Sequence, residues 1–106
     1  MADAPDARVT GTYDLLIRRA QGEVRAHDLV RAEATAREAL AVLPERAAAY
    51  NILALVRELQ GRHSEAMDLL RAGLAVEPTY APAQENLTRL GRHPRQGRMV
   101  IGDESD

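Results

Sequence analysis

Arg31 to Pro44 reads RAEATAREALAVLP, and Glu65 to Pro78 reads EAMDLLRAGLAVEP. With the two prolines aligned, the offset is 34 residues, the step from position 44 to position 78. Ala32 then falls on Ala66, Leu40 on Leu74, and Ala41-Val42 on Ala75-Val76. A fixed period of this length marks a stacked repeat, in which each unit has an apolar face that only a neighbouring unit covers. Ala47 to Tyr80 holds one whole unit: a helix, a turn at Gly61-Arg62-His63, a second helix and a stop at Pro78.

Upstream, Tyr13, Leu16, Ile17, Ala20 and Val24 follow the i, i+3, i+4, i+7 spacing of one helix face, with Arg18, Arg19, Gln21 and Arg25 between them. Thr12 is placed to cap this helix. Residues 1–11 are polar and aperiodic and read as a disordered leader. Asp28 is placed to cap a second helix, Leu29 to Leu43, with Leu29, Ala32, Ala36, Ala39, Leu40 and Leu43 as its buried stripe. Pro44 stops it, having no N–H to donate and clashing with the preceding turn.

The third helix runs from Arg46 to Gln60, with Tyr50, Leu53, Ala54, Val56 and Arg57 around its inner face. Gly61 ends it by taking positive φ without steric cost. Ser64 has the side chain to cap the fourth helix, which runs to Val76 or Glu77; Glu65, Asp68 and Glu77 read as its solvated face. Gly73 stands where the earlier unit has Ala39, and marks either a tight crossing or a tolerated small residue. Pro82 suits the first turn of a fifth helix carrying Ala83, Leu87 and Leu90, which Gly91 and Pro94 end. The helical domain is thus expected over 12–94, with units at 13–46 and 47–80 and a lone capping helix at 81–93. Residues 95–106 read as a flexible, acid-ending tail with one apolar patch, Met99-Val100-Ile101.

The totals narrow the function classes. Fourteen basic residues, all Arg, against 16 acidic ones give a net charge of −2, which makes no electrostatic case for nucleic acid or an anionic membrane. Aromatics are 3% of the chain, so the core must be aliphatic and small, which suits close helix packing. There is no cysteine, which excludes disulfides and thiolate chemistry. The N-terminus lacks a signal-peptide apolar region, and no apolar run is long enough for a membrane span, so the cytoplasm is the expected compartment.

With these residues in place, the chain resembles the tetratricopeptide repeat (TPR) family. Tyr50 takes the aromatic position of the first helix, Leu53-Ala54 the Leu-Gly pair and Gly61 the turn. Ala66 takes the small inter-helix position, Leu70 the large apolar one, Gly73-Leu74 the Ala-Leu pair and Pro78 the terminal proline. Residues 13–46 match through Leu16, Ala20, Leu29, Ala32, Ala39-Leu40 and Pro44, but depart at Arg19, Glu23 and His27. The resemblance implies an all-α fold of five helices, antiparallel hairpins stacked as a right-handed superhelix. Its groove is lined by the first helix of each pair. Groove residues carried over on this basis are Asp14, Ile17, Gln21 and Arg25; Ala48, Asn51, Leu55, Glu58 and Leu59; and Glu85, Arg89 and Arg92.

Enzymatic constellations are lacking. His27, His63 and His93 have no carboxylate or histidine at metal-binding spacing on one helix, Ser64 directly follows His63, and the glycines are isolated. No cofactor is expected. Within the groove, Asn51 suits a peptide backbone, Arg89 and Arg92 suit a carboxylate, and Leu55 and Ile17 offer apolar contact or belong to the core. With no Lys, and with Ile17 and Gln21 on the first helix, a clamp for chaperone tails is disfavoured. The leading expectation is a non-enzymatic module that binds a partner's peptide or helix. The alternatives are a homo-oligomer formed through Leu87 and Leu90, and a groove filled by the chain's own Met99-Val100-Ile101.

Overall fold

The structure is a computed structural model that describes residues 6–92 and Ile101. The described residues form five α-helices and no strand: α1 (Ala7–Arg25), α2 (Leu29–Val42), α3 (Ala48–Leu59), α4 (His63–Val76) and α5 (Ala81–Arg92). The chain is all-α, and none of these helices is long and apolar enough to cross a membrane.

The period of 34 is written into the backbone. α2 and α4 begin and end 34 positions apart. The turns before them use the same left-handed residue, His27 at φ 59° and Gly61 at φ 77°. The residues after them share one extended conformation, Leu43 at φ −147°, ψ 85° and Glu77 at φ −141°, ψ 83°. Each precedes a proline, whose ring excludes the helical region for its predecessor, so Pro44 and Pro78 end their helices one residue early.

Connections of three to five residues reverse the chain at every turn. Each helix packs on the next, and α1 with α3 and α3 with α5 also meet, whereas α2 and α4 do not. The odd helices therefore form the more closely gathered layer. α3 touches all four others. Asn51 through Arg57 are buried without a break. Tyr13, Ile17, Ala20 and Val24 pack with Ala32, Ala36 and Ala39 against Ile52 and Val56. Ala54, Ala66, Leu70, Ala83 and Leu90 make a second cluster. Gly73 marks a tight crossing: a Cβ built there would lie 2.9 Å from Tyr50 Cβ.

Capping differs from the expectation at two helices, α1 and α4. α1 starts at Ala7, within the stretch expected to be a leader, because Asp6 accepts from the Arg8 N–H at 2.8 Å; Thr12 lies exposed inside the helix. Residues 1–5 lie outside the described ones. Asp28 caps α2 through the Arg31 N–H at 3.3 Å. Ser64 is the second residue of α4 and does not cap it; the cap position is Arg62, with no side-chain bond. α3 has no side-chain cap of its own. Its free N–H groups are met from outside: Glu77 accepts from Ala47 at 2.8 Å, and the Tyr13 hydroxyl accepts from Ala49 at 3.2 Å. Glu77 is therefore half-buried and structural rather than solvated.

Arg57, at the far end of α3, forks onto Glu33 of α2 with Nη1–Oε1 and Nη2–Oε2 distances of 2.8 and 3.0 Å. Arg37 reaches the same carboxylate at 2.9 Å. The Arg57 hydrogen bonds are the main force holding the Glu33 carboxyl at about 2, down from 4.5.

Two outcomes follow from this packing. Gly73→Ala is expected to lower stability by about 1–3 kcal/mol, although alanine is the better helix former, because Tyr50 must move. Gly22→Ala, with nothing within 4 Å, is expected to raise stability by about 0.5–1 kcal/mol. Denaturant melts of both variants check the pair. Glu33→Gln is expected to cost about 1–3 kcal/mol at neutral pH, since it leaves a largely buried guanidinium poorly matched. A carboxylate with a lowered pKa stabilises above its unfolded value and loses that contribution as it protonates. The deficit should therefore shrink as pH falls from about 4.5 towards 2, read by melts of wild type and variant across that window.

Candidate functional site

The layer of odd helices carries the polar side chains that the core does not absorb. A cavity of about 430 Å³ opens beside α1, lined by Tyr13, Asp14, Ile17, Arg18 and Gln21. Arg46 and Ala48, at the start of α3, and Tyr80, just before α5, close its other side. Arg46 lies over the Tyr13 ring, 5.8 Å from its centroid, and its Nε pairs with Glu77 at 3.6 Å. Burial raises the Tyr13 pKa, against the opposing Ala49 hydrogen bond, so its hydroxyl stays a neutral donor and acceptor at the cavity wall.

Deeper in the layer, two side-chain amides meet with neither exposed. Asn86 Nδ2 of α5 donates to Asn51 Oδ1 of α3 at 2.9 Å, and both residues are 0% exposed. Asn51 Nδ2 in turn donates to the backbone oxygen of Ile101 at 3.4 Å. The Ile101 side chain is half-buried and packs against the cluster shared by α1, α2 and α3. Asn51 thus spends its two functions differently, one on a neighbouring helix and one on a main-chain carbonyl from outside the helices.

The twelve residues singled out from the sequence do not form one surface; Ala48 borders the cavity, and Leu59 lies exposed at the end of α3. Asp14, Ile17 and Gln21 line the cavity, and Ile17 and Gln21 are themselves buried. Arg25 lies exposed at the end of α1, outside it. Asn51 and Leu55 are buried, Leu55 within the core cluster. Glu58 is half-buried and faces His63 Nδ1 at 3.3 Å. Glu85 and Arg89 pair across one turn of α5 at 3.0 Å and border a separate shallow depression with Ala81, Gln84 and Thr88. Arg92 is exposed at the last position of α5.

Asn86 was not anticipated. It belongs to the stripe Ala83, Asn86, Leu87, Leu90, and stands 34 positions after Ile52, a core residue. An amide interrupting an apolar stripe is the signal that reveals it, since a buried amide needs a partner. Among the described residues, no group of three or more His, Asp or Glu is gathered as a metal site. The chain matches no protein-family model, no curated protein and no solved structure.

Proposed function

We propose that the chain is a tetratricopeptide-like interaction module of the cytoplasm, without enzymatic activity. Its hairpins stack as a right-handed superhelix, and the layer of α1, α3 and α5 takes an extended segment of a partner protein. The observation that carries this reading is the buried Asn51–Asn86 pair. A core can be filled by aliphatic residues at both places, and the equivalent position for Asn86 one unit earlier is Ile52. Burying two amides costs stability unless they hydrogen-bond, and one donor of Asn51 is aimed at a peptide carbonyl rather than spent within the helices. The adjoining cavity adds an amide, a carboxylate, two guanidinium groups and two phenols, which suit the polar main chain of a bound segment. Self-association through Leu87 and Leu90 has less support, because Leu90 is buried against the second cluster and Leu87 is half-buried there.

Titration with a panel of short aliphatic peptides, followed by amide chemical shifts, tests the reading. Shifts are expected at Asp14, Gln21, Asn51 and Asn86. Shifts confined to Leu15 and Val30, exposed elsewhere on the surface, would refute it. The amide pair has its own signature. Asn86→Leu is expected to lower stability by about 1–3 kcal/mol by stranding Asn51. Pairing it with Asn51→Leu should recover much of that loss while abolishing peptide binding, as thermal melts and titration of the double variant would show.

A further inference from the structure

Ile101 is remote from α3 in sequence yet lies against it. Its carbonyl accepts from Asn51 across 50 positions, and its side chain is half-buried on the core of α1, α2 and α3. We infer that Ile101 is a ligand of the groove in cis: an aliphatic residue of the chain's own tail holds the place that a partner's segment takes. This rests on reading the odd-helix layer as a segment-binding groove.

The contact defines the chemistry of the site. What Asn51 reads is a main-chain carbonyl, so the ligand must present a backbone oxygen there. What the core accepts beside it is an uncharged aliphatic side chain. Asn86 fixes the direction of the reading, because its hydrogen bond to Oδ1 leaves Nδ2 as the group Asn51 turns to the carbonyl. The reach is sufficient. Nine positions separate Arg92 from Ile101, a span of at most roughly 30 Å, against body extents of 42 × 29 × 27 Å.

The contact is also built to be replaced. A hydrogen bond of 3.4 Å is at the long limit of such bonds, and Ile101 is only half-buried. Its occupancy comes from tethering, which holds the tail at an effective concentration on the order of millimolar. A partner's segment of the same chemistry and higher affinity displaces it.

The test uses the full chain, isotopically labelled, as wild type, Ile101→Asp and Ile101→Gly. The probe is a synthetic peptide with the sequence of residues 98–106. Ile101→Asp is expected to shift the side-chain amide signals of Asn51 and Asn86 and to bind the peptide at least tenfold more tightly than wild type, because the tethered competitor is gone. Ile101→Gly keeps the carbonyl and loses the aliphatic group, so its affinity is expected to fall between the two. Unmoved Asn51 and Asn86 signals in both variants, or equal peptide affinity in all three proteins, would overturn the inference. So would a wild-type dimer that Ile101→Asp dissolves, which would place the contact between copies. The two readings fail separately. A released groove that takes the tail peptide but none of the aliphatic panel keeps the cis ligand and removes the partner reading. Panel peptides that bind wild type and Ile101→Asp equally keep the groove and remove the cis ligand.

Discussion

The structure depends on the enclosure of α3. This twelve-residue helix meets α1, α2, α4 and α5, and from Asn51 to Arg57 no side chain escapes burial. A helix covered on all sides must be approached closely by its neighbours, which is why Ala20, Ala32, Ala36, Ala39 and Ala66 are fully buried and why a Cβ added at Gly73 would come within 2.9 Å of Tyr50 Cβ. Small residues also strip α3 of its own means of capping: it opens on Ala47-Ala48-Ala49. Tyr13 and Glu77, from elements on either side, satisfy those N–H groups, so the start of α3 is fixed by tertiary structure rather than by its local sequence. Helix formation and hairpin stacking are thereby one event for α3, as expected where tertiary packing rather than propensity stabilises a short helix.

Enclosure also decides how α3 treats its polar residues. Arg57 lies at one end, is satisfied by Glu33 in a bidentate pair, and holds α2 in register with α3. Asn51 lies nearer the other end, and its Oδ1 accepts from Asn86. The two residues differ in what they meet. The guanidinium meets a full-charge partner supplied by the fold, with Gln60 and Glu65 in support. The amide donates through Nδ2 to the backbone oxygen of Ile101, which lies outside the helices.

Most of the fold was legible because the 34-residue period controls what is local: the turn residues, the prolines and the small side chains. The bounds of α2 and α4 fell within a residue or two of expectation, and of the stripe Tyr13, Leu16, Ile17, Ala20, Val24 all are buried but Leu16, which is half-buried. What was not legible depended on contacts from far along the chain. Glu77 looks like any exposed helix-end acid until Ala47 is brought to it. Ser64 looks like a cap, yet the turn shared with His27 places the helix start one residue earlier. Of the residues bordering the cavity, Asp14, Ile17 and Gln21 were readable as one helix face. Glu85, Arg89 and Arg92 were not, because the rotation of α5 turns Asn86 inward and leaves them outside.

The repeat explains the chemistry of the groove as well as its shape. Positions 34 apart stand side by side on the odd-helix layer, so Asp14 is matched by Ala48 and Arg46 by Tyr80, and all four border the cavity. Two further matched pairs, Ile17 with Asn51 and Gln21 with Leu55, are all buried. In α1 the aliphatic residue precedes the amide; in α3 the amide precedes the aliphatic residue. The result is a checkerboard of amide and hydrocarbon rather than parallel stripes. Stripes would suit a second helix, whose apolar face runs unbroken along its length. An extended chain instead offers a peptide group and a side chain in alternation, with side chains turning to opposite faces at every residue. A buried layer that alternates in two directions has the same spacing of polar and apolar groups. The contact that Ile101 makes has that composition, a carbonyl on Asn51 and an isoleucine side chain on the core of α1, α2 and α3.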